Sequence, residues 1–230
     1  MQTSEKEGHA AREISRRDLL KRAGLVGVAA AVPAGAVAAS SAPPRPRERE
    51  QLEALTAGEA DTLEAIVERL VPSGDDGLGA AEARAARYID RALAGELREL
   101  LPSYSANLAA LDTHSQATLG ERFSDLAAAD RDAVLVALER NLAPGFVPSS
   151  AAFFETVREH TLQGTFGDPF HGGNDDFVGW DLLGFPGIRL DFKPKEQALD
   201  AVVRPAHKST ADFPLFGFKK KDKTRGGGHG

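Results

Sequence analysis

"TAGEADTLEAIVERLVP", residues 56–72, decides the architecture. Thr56 and Glu59 stand three apart, the spacing at which each side chain satisfies the other residue's free backbone N–H, a capping box that opens a helix. Leu63, Ile66, Val67 and Leu70 then recur at helical spacing, and Pro72 ends the run. One amphipathic helix with an apolar stripe cannot be stable alone. It needs neighbours of the same kind.

The chain supplies them on the C-terminal side. After the loop "SGDDGLG", Ala85, Ala86, Ile89, Ala92 and Leu93 line one face of a second helix ending near Gly95. A third is expected over Tyr104–Leu119, with Tyr104, Leu108, Leu111 and Ser115 as its stripe and Gly120 as its stop. A fourth spans about Ala128 to Asn141, with Val134, Leu135 and Leu138 inward. A fifth starts at Ser149 or Ser150 and carries Phe153, Phe154 and Val157. Nothing alternates with period two between hairpin turns. The expected fold is all-α: a compact bundle of about five core helices, with a Gly-rich ordered loop and an irregular C-terminal extension.

Composition sets outer limits. A chain of 230 residues holds one domain with tails and buries a sizeable core. Charged residues at 27% and hydrophobic residues at 42% are ordinary for a soluble protein. A net charge of −6 argues against nucleic acid as a partner. The absence of Cys excludes disulfides, thiolate metal sites and Cys nucleophiles, and leaves the compartment open.

Upstream lies "SRRDLLKRAGLVGVAAAVPAGAVAAS", with Arg16 and Arg17 at its head. A charged region, a short apolar run from Ala23 to about Val32 and a small-residue zone follow in the order of an export signal. The apolar run is too short and too rich in Ala and Gly for a good membrane span. The pattern resembles a twin-arginine (Tat) signal, with Leu19 where Phe is commonest. Cleavage fits after Ala38 or Ala39. Residues 1–39 hold six of the 28 basic and four of the 34 acidic side chains, so the remainder carries 22 against 30, a net −8. The Tat route carries folded cargo, and a chain without an evident cofactor site has no need of it for itself. The expectation is a chain that travels with something that does.

Downstream lies "FGDPFHGGNDDFVGWDLLGFPG", residues 166–187. Asp168-Pro169 favours a turn, and Gly172-Gly173-Asn174 permits positive φ at each step. Trp180, the only Trp, sits after Gly179 and before Leu182, Leu183 and Phe185. Such a ring either anchors a loop onto the bundle or presents itself to a partner. His160, His171, Asp168 and Asp175 offer imidazole and carboxylate ligands, but at no spacing known for a metal loop. The alternative reading is a stand-alone exported enzyme or binding protein that uses the His171, Asp168 and Asp175 loop; acid–base work by His171 with Asp168, Asp175 or Asp176 needs a pocket and an orienting group. No nucleophile elbow and no G-x-G-x-x-G loop after a strand occurs, so the usual loop for FAD or NAD is missing.

These segments resemble the gluconate 2-dehydrogenase subunit 3 family. The matching residues are "LTAGEADTLEAIVERLVPSGDDGLGAAEARAARYIDRAL", "DRDAVLVALE", "FFETVREHTLQGTFGDPFHGGNDDFVGWDLLGFPG" and the signal, covering about Leu55 to Gly187. Two positions depart from the family pattern: His171 stands where Tyr is usual, and Ala127 where a helix-capping Ser is common. The resemblance implies a small subunit that is not an enzyme on its own and holds no cofactor or metal. Its implied partners are a large FAD-binding subunit of the glucose–methanol–choline type, which oxidises a sugar or polyol, and a cytochrome c subunit carrying haem c. Signal and resemblance together place the complex in the periplasm or on the outer face of the cytoplasmic membrane. The small subunit engages the Tat machinery and brings the large one as passenger, and membrane association comes through the complex. On this resemblance Asp168, Gly172, Gly173, Asn174 and Trp180 belong to a partner-facing loop.

The expected organisation is a signal over 1–39, a linker over 40–54 and a helical domain over 55–190. A partner-docking extension over 191–218 and a basic tail over 219–230 follow. "KEQALDAVV" is expected as a short helical turn. Phe213, Phe216 and Phe218 are expected to dock on the large subunit, because three exposed Phe are a liability in isolation.

Overall fold

Helix α1, Ala57–Leu70, begins as its sequence dictates. Thr56 is the N-cap, its Oγ1 accepts from the Glu59 N–H, and Glu59 Oε2 accepts from the Thr56 N–H at 2.8 Å. Leu63, Ile66 and Val67 are buried along its inner face. The computed structural model describes residues 51–75, 77–198, 201 and 203–217. The segment expected to be a twin-arginine signal, with Arg16 and Arg17, lies outside the described residues, as do Phe218 and the basic tail.

Four further long helices follow: α2 (Ala85–Ala94), α3 (Leu101–Leu119), α4 (Ala128–Glu139) and α5 (Ser150–Phe166). The all-α bundle of five core helices is observed, and no strand occurs among the described residues. Helix α1 packs against each of the other four, and α5 lies between α2 and α4. Leu63, Ile66, Ile89, Leu93, Leu108, Leu111 and Leu138 are essentially inaccessible. Burying each such side chain stabilises the fold by about 1.5–3 kcal/mol before the entropy of ordering it is counted.

Two boundaries differ from expectation. Helix α3 starts at Leu101 rather than Tyr104, since Pro102 lies in the first turn, where its missing N–H costs nothing. Helix α4 ends at Glu139. Asn141 adopts φ +58°, and Leu142 N–H closes back on the Ala137 carbonyl, a left-handed stop that Asn tolerates. Ser149 caps α5, accepting from Ala152 N–H, whereas Ala127 gives α4 no side-chain cap.

Glu53 and Ala54, assigned to the linker from sequence, are part of the folded body. The buried carboxylate of Asp90 on α2 accepts three successive backbone N–H groups: Glu53 at 2.7 Å, Ala54 at 3.0 Å and Leu55 at 2.8 Å. A buried carboxylate is tolerated only with such partners. This clamp fixes where the chain enters the bundle.

A second buried polar pair ties α3 to α5. Tyr104 Oη lies 2.6 Å from His160 Nδ1, and the two rings stack at 12°. Burial pushes the Tyr104 phenol well above its ordinary range and the His160 imidazole below its own, so both are neutral. Among the described residues no helix is long and apolar enough to cross a membrane.

Candidate functional site

The Gly-rich block leaves the C-terminus of α5 and folds back against it. It is more ordered than a hinged turn: two 3-10 turns (Pro169–His171 and Asp175–Phe177) lead into a sixth short helix, α6, Val178–Leu183. The residue types show no helical period here because the segment is held by close backbone approach instead.

Asn174 is the centre of that approach. Its side chain is fully buried and its backbone is left-handed, φ +45°. Its N–H donates to the Gly164 carbonyl at 2.7 Å, its Nδ2 donates to the Gly167 carbonyl at 2.8 Å, and its Oδ1 accepts from Gly179 N–H at 2.8 Å. One amide thus joins the end of α5 to the start of α6. The glycines beside it are required by space: a Cβ on Gly173 would collide with the Gly164 carbonyl, and one on Gly179 with the Thr165 carbonyl. Gly172, with φ +96°, closes the first 3-10 turn against the Arg91 guanidinium.

Trp180 is 5% exposed, and its Nε1 donates to the Phe166 carbonyl at 2.9 Å. Phe177 and Phe185 flank the indole, with ring centroids 5.4 and 4.9 Å away. Of the two roles open to this ring, the structure gives it the anchor. Phe177 itself has φ +64°, a strained value for an aromatic residue. The opposing gain is ring contact on both sides, with the His207 ring stacked parallel to it at 5.0 Å and the Trp180 indole tilted against it.

His207 belongs to the C-terminal extension, which returns to cover the block. His207 Nε2 lies 2.7 Å from Asp181 Oδ1 on α6. Ile188 N–H donates to the Lys208 carbonyl and Ala206 N–H to the Pro186 carbonyl, each at 2.9 Å. Asp168 completes the join. Its Oδ1 accepts from Phe170 N–H, and its Oδ2 accepts from both the N–H and the Oγ1 of Thr210, all at 2.9 Å. The turn expected in "KEQALDAVV" falls partly outside the described residues; Lys195 and Glu196 at its start belong to a 3-10 turn, Pro194–Glu196.

The candidate acid–base and metal residues are thereby dispersed. Both oxygens of Asp168 are occupied, Oδ1 by Phe170 N–H within the block and Oδ2 by Thr210 of the extension. Asp175 Oδ2 lies 3.9 Å from Arg84 Nη1, His171 sets its ring edge-on to Phe170, and His160 faces Tyr104 in the core. Among the described residues no group of three or more His, Asp or Glu side chains is placed to hold a metal ion. Asn174 and Trp180, put forward as partner contacts, are inside this chain: they shape the surface that covers them. Phe216 is exposed, and Phe213 is half-buried with its ring 6.4 Å from that of Phe216. Sequence reasoning missed Asp90 and His207. Asp90 had a legible signal, an acid three and four residues from Leu93 and Ala86 of the apolar stripe. His207 had none.

The family model for gluconate 2-dehydrogenase subunit 3 matches residues 57–187, from the first residue of α1 to the last of the Gly-rich block. The chain belongs to the gluconate 2-dehydrogenase subunit 3 family. Neither a search of curated proteins nor one of solved structures returns a match. The family is that of a subunit within an oxidoreductase complex, and the matched span in this chain stops where the extension begins. In the subunit 3 body the Gly-rich block is therefore integral to the fold, whereas residues 188–217 lie beyond the matched span.

Proposed function

We propose that this chain is the non-catalytic small subunit of an exported dehydrogenase complex. In this reading a separate large flavoprotein of the glucose–methanol–choline type holds FAD and oxidises a CH–OH group of a sugar or polyol. A cytochrome c subunit takes the electrons on. The small subunit carries the Tat signal through Arg16 and Arg17, brings the folded flavoprotein out as passenger, and supports its maturation and stability in the periplasm or on the outer face of the cytoplasmic membrane.

Family membership supports the complex. The observation that favours a binding rather than a catalytic role is how the polar groups of the Gly-rich block are used. Asp168 and Asn174 are spent on holding backbone and a neighbouring side chain of this chain, Asp175 Oδ2 lies 3.9 Å from Arg84 Nη1, and the His171 ring sits edge-on to Phe170. A general acid or base needs a free lone pair or proton aimed at a substrate site.

The test is Arg16→Lys combined with Arg17→Lys. Fractionation and immunoblotting are expected to find both this chain and the flavoprotein retained in the cytoplasm. A flavoprotein that still reaches the exported fraction refutes the carrier role.

A further inference from the structure

We propose that residues 206–217, the return of the C-terminal extension, form a strap that lifts off the Gly-rich block as one unit while the helical bundle stays folded. Asp168, Phe177 and Asp181 thereby alternate between a masked and an open state. A partner that engages the block through these groups meets them only when the strap is lifted. The strap stands or falls independently of the subunit role given above.

What holds the strap is polar. Ala206 N–H donates to the Pro186 carbonyl, Ile188 N–H to the Lys208 carbonyl, and the N–H and Oγ1 of Thr210 both donate to Asp168 Oδ2, each at 2.9 Å. His207 Nε2 lies 2.7 Å from Asp181 Oδ1, with the two side chains 46% and 34% exposed. No apolar side chain of residues 206–217 is buried, and Ser209 is the one buried residue of the segment. Burial of apolar surface is what ties an element into the cooperative unfolding of a core. A segment attached by hydrogen bonds along a partly exposed seam opens at a small fraction of the global free energy.

The segment is also closed on itself, which makes it a unit. Ser209 and Asp212 form a reciprocal cap: Asp212 Oδ2 accepts from Ser209 N–H at 2.9 Å, and Ser209 Oγ accepts from Ala211 N–H at 3.2 Å. Two 3-10 turns follow, Thr210–Asp212 and Pro214–Phe216. Lys208 Nζ lies 5.7 Å from the Phe213 ring centroid, and the Phe213 and Phe216 rings meet edge-on at 6.4 Å. None of these contacts crosses to the block, so all survive when the strap leaves it.

Backbone strain is stored at the seam. Four of the six non-Gly residues with positive φ among the described residues, Asn174, Asp176, Phe177 and His207, lie in the block or the strap. Phe177 at φ +64° and His207 at φ +44° face each other across the seam, their rings parallel at 5.0 Å. Left-handed residues persist only where their surroundings over-determine them, and they mark elements with a second accessible state. Here each strained residue is a contact of the other. Lifting the strap frees His207 to relax, which offsets part of the bonding lost.

Hydrogen exchange on the full chain, resolved to single amides, tests the strap. The N–H groups of Ile188, Ala206 and Thr210, each bonded across the seam, are expected to exchange through one shared opening. That opening is at least about 100-fold more frequent than for the amides of α1 and α5 and lacks the urea dependence of global unfolding. Asp181→Ala with Thr210→Val removes two clasps and touches nothing in the bundle. It is expected to raise the opening about tenfold, near the worth of one net hydrogen bond, at unchanged Tm. Carbodiimide labelling is expected to modify Asp168 faster in this variant than in wild type, with Asp176, exposed in the closed state, unchanged. If the three amides exchange only with global unfolding, the segment is an integral part of the body and the proposal is overturned. Three different opening rates show fraying rather than a strap and overturn it equally. Faster opening in the variant without faster labelling of Asp168 refutes the masking. If the variant does not fold, exchange in the wild-type chain decides.

Discussion

Asn174→Ala removes a side chain that touches no solvent and joins two backbone segments. The Gly179 N–H loses its acceptor inside the protein, and the half-buried Gly167 carbonyl loses its donor. An orphaned buried group costs about 1–3 kcal/mol, with the Gly167 carbonyl at the low end because water reaches it in part. Alanine at φ +45° adds about 1 kcal/mol relative to Asn, which tolerates the left-handed region. The expected loss is about 3–4 kcal/mol, a large share of the roughly 5–15 kcal/mol that holds a domain together. For a domain of this size it corresponds to a fall in Tm of about 6–16 °C. Thermal unfolding of the isolated chain by far-UV circular dichroism measures it, and the near-UV band of the single Trp reports whether the block loosens first. Asn174→Gly separates the two causes, because it orphans the same groups without the left-handed penalty and is expected to lose about 1 kcal/mol less. A fall in Tm below about 3 °C for Asn174→Ala, or no difference between the two variants, refutes the claim that this amide locks the block onto α5.

Trp180→Ala is expected to cost about 3–5 kcal/mol of folding stability, since the indole is buried and hydrogen-bonded. An unchanged melt with lost partner binding would instead make it a contact residue. Stability is also expected to fall in mild acid through His160. Burial lowers its folded pKa below the unfolded value of about 6.5, so the unfolded chain takes up the proton first. The contribution is complete above that pH and is lost as pH drops below it, because burial disfavours the charged ring. Tm measured from pH 8 to 5 should slope downward below about 6.5, and His160→Gln, which keeps an acceptor, should flatten that slope. Ala127→Ser is expected to stabilise the chain by about 1 kcal/mol, read as a higher urea midpoint at unchanged m, because α4 begins with no side-chain cap.

The apolar stripes of α1 to α5 were legible because each helix buries one face, and burial imposes the 3.6-residue period directly on the residue types. Thr56 with Glu59 and Ser149 were legible for a similar reason: a cap is satisfied within four residues of chain. The Gly-rich block could be recognised as a motif, yet its purpose could not be read. Gly173, Gly179 and Asn174 are fixed by the carbonyls of Gly164, Thr165 and Gly167 and by a backbone that doubles back on itself, and such contacts leave no period. The same holds for Asp90, whose partners are backbone N–H groups 35 to 37 residues away, and for Asp168 and His207, which meet Thr210 and Asp181 only once the extension has returned. Local composition and spacing determined the helices and their caps, and the match over residues 57–187 showed the family to which the chain belongs. Tertiary structure alone decided that Trp180 and Asn174 point inward while Leu183, Phe192 and Leu215 point outward, because in a segment without regular period the direction of a side chain is set by what the chain folds against.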